Sequence, residues 1–326
     1  MGVSPSEPKP PLGAIVGPTA VGKSEIALEV AARLDGEVVS ADSAQVYRGL
    51  DIGTAKLLPH QRVSSSGKLI PHHLLDVVEP DRAFSVAEYQ RLARKAIADI
   101  HARGRLPLLV GGTGLYFQAV VDPYFFAPGA RDSRLRARLE EEAERYGNEH
   151  LYRRLEQVDP VAAGRIHPHD RRRIIRALEV YLLTGEPISA TWKGRWSGSP
   201  YRLALAGLTM DRALLYERIN RRVDGMLAAG LVDEVRELLR KGYDLETPAL
   251  QILGYKEIAL YLQGKLTFAE AVSLLKRNTR RYAKRQWTWF RRDPRIVWWE
   301  VRPDNREEIS DAISRWMAGQ LDICVE

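Results

Sequence analysis

Apolar and polar positions along the chain alternate between two periods. Leu12–Val16 is a continuous apolar run, Glu37–Ser40 a shorter one, and Leu106–Val110 and Leu203–Leu208 repeat the type. Uninterrupted apolar runs of this length are what strands buried on both faces of a parallel sheet require. Between them the period is helical. Glu25–Leu34 leads out of the first run as an amphipathic helix, and Ser85-x-x-Glu88 is a capping box at the head of a helix to about Arg103, closed by Gly104. Gly114–Val121 predicts a short helix and Arg212–Lys241 a helical stretch interrupted near Gly230. Thr267-x-x-Glu270 opens a long helix to about Arg291, Ile296–Val301 predicts a last strand, and Asp304–Met317 a closing helix. This alternation predicts a doubly wound α/β fold, whose ligands lie beyond the carboxyl ends of the strands.

From about Asp122 the pattern changes. Arg134–Arg145, Leu151–Val158 and Asp170–Leu183 read as charged helices with no strand between them, and Gly185 ends the last one. Trp192–Pro200 reads as a loop. The expected organisation is a disordered tail over residues 1–11, a discontinuous α/β core over 12–121 and 200–326, and an all-helical insertion over 122–199.

Composition narrows the class. The chain has 326 residues, 45% of them hydrophobic and 28% charged, as in a globular protein. One cysteine, Cys324, excludes a disulfide framework and a Cys-rich zinc site. No run reaches the roughly 18 apolar residues of a membrane span. A cytoplasmic, monomeric protein is expected. The net charge is +7, and its distribution is uneven: Lys276–Arg292 holds eight basic residues and no acidic one, and Arg171, Arg172, Arg173 and Arg176 form a second cluster. Two separated basic stretches point to an extended polyanion.

Gly17-Pro18-Thr19-Ala20-Val21-Gly22-Lys23-Ser24 completes the pattern G-x-x-x-x-G-K-[ST] between a strand and a helix. Its glycines let backbone N–H groups wrap an anion, Lys23 reaches the terminal phosphate, and the Ser24 hydroxyl holds Mg2+. The core is therefore expected to be a P-loop NTPase-like sheet. Asp42 follows the second strand, where a carboxylate faces the phosphate site or caps a turn. Leu106–Val110 ends in Gly-Gly-Thr rather than in the carboxylate of a nucleotide phosphatase, which argues against ordinary ATP hydrolysis. Thr113 reads as a helix cap or a donor to a phosphate oxygen. Arg218 and Arg222, four apart, share a helix face and either clamp phosphate or pair with Glu217 and Asp224. Trp287 and Trp289, interleaved with the basic residues of the long helix, either stack on bases or pack in the core.

These segments resemble the tRNA dimethylallyltransferases, over about residues 12–300. The blocks that carry the resemblance are GPTAVGKS (17–24), ADSAQVYRGLDIGTAK (41–56), GGTGLYFQA (111–119), RRIIRALEVY (172–181), ILGYKE (252–257) and YAKRQWTWFRR (282–292). The resemblance implies transfer of a prenyl group from dimethylallyl diphosphate to N6 of the adenosine 3′ of the anticodon. It implies that Asp42 is the general base, that Thr113 interacts with the diphosphate near the breaking C–O bond, and that the phosphate loop with Arg222 and a Ser24-bound Mg2+ holds the diphosphate. By the same resemblance tRNA contacts come from Asp42, Ser43, Ala44, Gln45 and Thr113. Further ones are implied for Arg136, Arg172, Arg173, Ile174, Ile175 and Arg176, for Gln251, Ile252, Leu253, Gly254, Tyr255 and Lys256, and for Lys284, Arg285, Gln286, Trp287, Thr288, Trp289, Phe290 and Arg291. The helical insertion is expected to grip the anticodon stem-loop.

The family usually has Gln where this chain has Arg172. The C-terminal zinc finger of eukaryotic members is missing, so the resemblance is to the compact bacterial form. Three other readings share parts of the pattern: a prenyltransferase acting on free adenylate, a small-molecule kinase, and a non-catalytic RNA-binding protein. The first needs no basic clusters, the second would phosphorylate an acceptor with ATP, and the third has no use for a phosphate loop beside Asp42 and Thr113.

Overall fold

The computed structural model describes residues 8–124, 126, 132–192 and 198–324, and its six strands form one parallel sheet in the order β3-β2-β4-β1-β5-β6. The strands are β1 (Pro11–Val16), β2 (Gly36–Ala41), β3 (His72–His73), β4 (Leu106–Gly111), β5 (Arg202–Thr209) and β6 (Val297–Glu300). Strand alternation sends side chains to two cores. From β1, Leu12, Ala14 and Val16 join one core and Ile15 the other; from β4, Leu109 joins the first and Leu108 and Val110 the second. The buried runs of the sequence are thus central strands covered on both faces.

Helices α1 (Lys23–Arg33), α2 (Val86–Ala102) and α3 (Gly114–Val121) follow β1, the β2–β3 segment and β4. At α2 the expected capping box is formed: Ser85 Oγ accepts the Glu88 N–H at 3.2 Å, and the Glu88 carboxylate accepts the Ser85 N–H at 2.9 Å. Helices α4 (Ser133–Tyr146), α5 (Asn148–Val158), α6 (Pro160–Ala163) and α7 (Arg171–Thr184) come next. After β5 come α8 (Arg212–Ala228), α9 (Leu231–Arg240), α10 (Tyr255–Leu262), α11 (Phe268–Phe290) and, after β6, α12 (Arg306–Leu321). Gly230, in the left-handed region at φ 100°, makes the break between α8 and α9.

Contacts divide the chain into two compact units, 1–121 with 200–326 and 122–199. The second has its own core of Leu139, Leu151, Leu155, Ile174, Ile175 and Leu178, and its described residues are helical with one 3-10 turn, Ile188–Trp192. The pattern gave no sign of β3, α6 or α10.

The tail is shorter than expected. Pro11 belongs to β1, Pro10 O accepts the Arg202 N–H at 2.9 Å, and His101 Nε2 lies 2.8 Å from Pro11 O. Residues 1–7 of that tail, and 193–197 of the expected Trp192–Pro200 loop, lie outside the described residues.

Register brings three strand ends to one edge. Val16 pairs with both Gly111 and Gly207, and Ala41 pairs with Gly111. The phosphate loop, Asp42 and the Gly112–Thr113 turn therefore leave the sheet side by side.

Candidate active site

The phosphate loop is a nest of backbone donors. Gly17 lies at φ 146°, where a Cβ would meet Leu208 O at 2.5 Å, so the approach of β5 requires glycine there. Ala20 (φ 66°) and Gly22 (φ 107°) are also left-handed, and Gly22 starts α1. Such turns point successive N–H groups inward, and the first turn of α1 adds donors with no intrahelical acceptor. Arg218 Nε donates to Ala20 O at 3.0 Å and so holds the strained alanine.

Lys23 folds back onto the loop. Its Nζ donates to Gly17 O at 2.9 Å and Pro18 O at 2.8 Å. Burial lowers its pKa to about 7, and the Arg222 charge adds to this while Asp42 opposes it. Arg222 is likewise lowered by burial, against the pull of Asp42 and Glu25. Two half-buried cations near one carboxylate make a site deficient in negative charge, which an anion relieves.

Asp42 and Thr113 meet across the edge. Asp42 Oδ1 accepts the Ala44 N–H at 2.9 Å, and Oδ2 has no hydrogen bond among the described residues. Thr113 N–H donates to Ala41 O at 3.1 Å, and Thr113 Oγ1 accepts the Ser43 N–H at 3.0 Å and lies 3.3 Å from Ser43 Oγ. Thr113 thus both starts α3 and orders the Asp42 loop. Beneath it lies an aromatic layer: Tyr89 and Tyr116 stack at 3.9 Å, and the Tyr89 hydroxyl donates to Ser40 O at 3.0 Å. Burial raises both hydroxyl pKa values, and the Asp42 charge adds to it.

The Asp51–Lys56 segment, part of the family-specific block, buttresses this loop. Glu234 on α9 accepts the N–H groups of Asp51 (3.0 Å), Ile52 (2.8 Å) and Gly53 (3.2 Å), and the Tyr255 hydroxyl donates to the same carboxylate. Lys56, buried at 4% exposure, donates to Tyr47 O, Asp51 and Asp76 at 2.9, 2.7 and 2.6 Å. Gln45 joins the two halves, with its Nε2 donating to Thr54 O at 3.3 Å and its Oε1 accepting from Ser40 Oγ at 3.2 Å.

Two side chains of α11 that sequence reasoning did not place here reach the site. Gln286 is buried, its Oε1 accepting the Thr19 N–H at 2.8 Å and its Nε2 donating to Gly112 O at 3.0 Å. The Tyr282 hydroxyl contacts Thr113 and Gln286, and its pKa is pushed up to about 12, by burial first and by Asp42 second. The spacing of buried residues on α11 (Leu275, Thr279, Ala283, Gln286, Phe290) is the signal that marks Gln286 as inward-facing.

Several residues expected to contact tRNA are turned inward. Ile174, Ile175, Tyr255 and Phe290 are at most 1% exposed, Gly254 is buried, and Gln286 is engaged with the loop and turn. The side chains of Ile174, Ile175, Tyr255 and Phe290 belong to cores. Ile252 and Leu253 pack against the larger core. Trp287 packs edge-on against Trp298 at 4.5 Å, and Trp289 covers Gly114 so closely that a Cβ there would lie 2.2 Å from the indole ring. Arg136 and Arg176 bind the fully buried Glu179 at 2.7 and 2.8 Å, holding its carboxyl below the usual range although burial acts the other way.

What remains outward is cationic. Lys276 pairs with Asp224 at 2.6 Å and Arg280 donates to Asn220 at 2.7 Å, so these two face α8. Arg277, Arg281, Lys284, Arg285 and Arg291 are exposed, and among the described residues no carboxylate pairs with them. Gln251 and Lys256, bonded to each other at 3.0 Å, are exposed at the start of α10, and Thr288 is half-buried, donating to Lys284 O. In the helical unit Arg172 and Arg173 are exposed, Arg173 beside Asp170 at 3.4 Å.

Ser24 is exposed at the second position of α1, and its hydroxyl has no partner among the described residues. No group of three or more His, Cys, Asp or Glu side chains converges there or elsewhere among them. That donor set does not make a protein metal cage, but it fits Mg2+, which takes a single hydroxyl together with phosphate oxygens and water.

The chain matches the family model described as IPP transferase over residues 45–293. It is 62% identical over 320 residues to the tRNA dimethylallyltransferase of Moorella thermoacetica, covering 98% of each chain. It is 53% identical over 300 residues to that of Carboxydothermus hydrogenoformans, covering 92% of this chain and 94% of that one. Among solved structures, the full-length tRNA isopentenylpyrophosphate transferase of Bacillus halodurans superposes with a TM-score of 0.70 at 46% identity, over 96% of this chain and 99% of that one. A eukaryotic dimethylallyltransferase acting on tRNA gives 0.81 at 28% identity, over 97% of this chain and 81% of that one. With its phosphate loop, Asp42 and Thr113 at one sheet edge, the chain belongs to the tRNA dimethylallyltransferase family.

Proposed function

We propose that this enzyme transfers the dimethylallyl group of dimethylallyl diphosphate to N6 of the adenosine 3′ of the tRNA anticodon, releasing diphosphate. The observation that carries the reading is the meeting, at one sheet edge, of a phosphate loop backed by two half-buried cations with a carboxylate that keeps one oxygen unengaged.

The chemistry follows from the geometry. The exocyclic amine of adenine is a poor nucleophile, so the barrier falls chiefly through ionisation of the allylic C–O bond. Loop N–H groups, Lys23 and Arg222 stabilise the electron pair arriving on the diphosphate oxygen, and this is worth most in a site closed to water. The Ser24 hydroxyl is fit to hold Mg2+, which when bound neutralises further diphosphate charge. Thr113, at the same sheet edge, is assigned to the diphosphate near the breaking bond. As the N6–C bond forms, Asp42 Oδ2 takes the N6 proton. The buried Tyr89–Tyr116 layer next to Asp42 keeps one side of the site apolar, which protects the allylic carbon from water.

A second set of cations, outside the diphosphate site, supports RNA as the acceptor. Lys284, Arg285, Arg281 and Arg277 on α11, Gln251 and Lys256 at the start of α10, and Arg172 and Arg173 on the helical unit suit the phosphates of the anticodon stem-loop. The target adenosine leaves its stack to reach Asp42. No helix of the described residues is long and apolar enough to cross a membrane. We expect a monomer working in the cytoplasm beside its tRNA.

The test is a competition between acceptors. Purified protein with labelled dimethylallyl diphosphate and Mg2+ is offered unmodified tRNA and AMP together. Label in tRNA supports the reading. Label in AMP alone assigns the enzyme to free adenylate, and label in neither with phosphorylation by ATP assigns a kinase.

A further inference from the structure

The amide of Gln286 bridges two of the three elements that form the site. Its Oε1 accepts the N–H of Thr19 in the phosphate loop at 2.8 Å, and its Nε2 donates to the carbonyl of Gly112 in the turn after β4 at 3.0 Å. At 4% exposure it is shut off from solvent, so neither bond is replaced by water at low cost. The turn is shaped around it: a Cβ on Gly112 would lie 2.0 Å from Nε2 and 3.5 Å from Gly17 O. One helical turn earlier on the same face, the Tyr282 hydroxyl contacts both Thr113 and Gln286.

We propose that Gln286 is a positioning residue for the transfer reaction. It locks the phosphate loop to the Gly112–Thr113 turn, and so sets the spacing between the diphosphate and Thr113. The inference rests on the reading above that the loop holds a prenyl diphosphate, and it removes Gln286 from the RNA-binding surface. The Thr19 N–H, oriented within an anion-binding nest, is committed to Gln286. The diphosphate is therefore left with the N–H groups further along, from Val21 to Ser24, at the mouth of α1. The amide is specific to the task. A carboxylate sets an oxygen against Gly112 O, and an apolar side chain of equal length strands both the Thr19 donor and the Gly112 acceptor.

The test is Gln286→Met, near-isosteric and unable to make either bond. Steady-state kinetics are run with both substrates, and affinities are measured separately for inorganic diphosphate and for an anticodon stem-loop RNA. The expected result is a rise in the KM for dimethylallyl diphosphate and a fall in kcat, each on the order of tenfold. Diphosphate binding weakens in parallel, while stem-loop affinity stays within about twofold, which separates positioning from a general loss of structure. Unchanged donor KM and kcat, or a loss confined to stem-loop binding, overturns the proposal. Should Gln286→Met fail to fold, Gln286→Glu, which keeps the acceptor for Thr19, decides: the same split supports the proposal and normal donor kinetics overturns it. A wild-type enzyme that binds diphosphate but transfers nothing to tRNA refutes the reaction and leaves diphosphate affinity to judge Gln286.

Discussion

Asp42 Oδ1 accepts the Ala44 N–H at 2.9 Å while Oδ2 has no hydrogen bond among the described residues, so one carboxylate both shapes its turn and offers a free oxygen. The two roles separate in Asp42→Asn. The amide oxygen keeps the bond to Ala44 but accepts no proton from N6. Turnover is expected to fall by roughly two to four orders of magnitude, as for a lost general base, with tRNA affinity and melting temperature unchanged. Single-turnover transfer rates check this, and a rate near wild type removes Asp42 from proton transfer.

Lys23 makes diphosphate binding depend on pH. Its free-state pKa, lowered to about 7 mainly by burial, is raised again when a diphosphate supplies negative charge. The bound state then holds a proton that the free state has lost, so affinity is full below pH 7 and weakens above it, by up to about tenfold per pH unit until the bound-state pKa is reached. Calorimetry of dimethylallyl diphosphate binding in buffers of different ionisation enthalpy is expected to show uptake of roughly 0.9 proton at pH 8. Lys23→Met loses this uptake. Equal proton uptake in the two proteins contradicts the assignment.

Lys284 and Arg285 are exposed next to the inward-facing Gln286, and no carboxylate among the described residues pairs with either. Replacing both by Glu is expected to weaken stem-loop binding and to flatten its logarithmic salt dependence by about one to two units. The KM for dimethylallyl diphosphate should not move. An unchanged salt slope places the RNA on another face.

Glu234 supports the Asp42 loop from a distance. Glu234→Ala strands the N–H groups of Asp51, Ile52 and Gly53 together with the Tyr255 hydroxyl. Since Glu234 is half-buried, the expected destabilisation is about 2 kcal/mol by urea unfolding. A cost below about 0.5 kcal/mol, the scale of an ordinary surface change, means the loop is held by other contacts.

Central strands were readable in the sequence because burial on both faces leaves continuous apolar runs, as in β1 and β4. The edge strand β3 was not: it is His72–His73, held by pairing with Val38 and Val39 rather than by apolar content. Helix α10 hid inside a motif, since Gly254 precedes it and its buried residues include Glu257. The loop, Asp42 and Thr113 were legible because each follows a recognisable strand. Gln286 and Tyr282 were not, because α11 reads as a basic surface and only the stripe from Leu275 to Phe290 shows its inner face. Carrying whole motif blocks over as RNA contacts likewise swept in Ile174, Ile175 and Phe290, which the helical repeat turns into cores.

Locating the transferred group decides whether this enzyme prenylates N6 of the adenosine beside the anticodon. Wild-type enzyme is incubated with labelled dimethylallyl diphosphate, Mg2+ and an unmodified anticodon stem-loop, which is then digested to nucleosides. The label is expected on N6 of the adenosine 3′ of the anticodon, with none in a stem-loop carrying guanosine at that position. Label on another nucleoside, or equal labelling of the guanosine variant, contradicts this assignment.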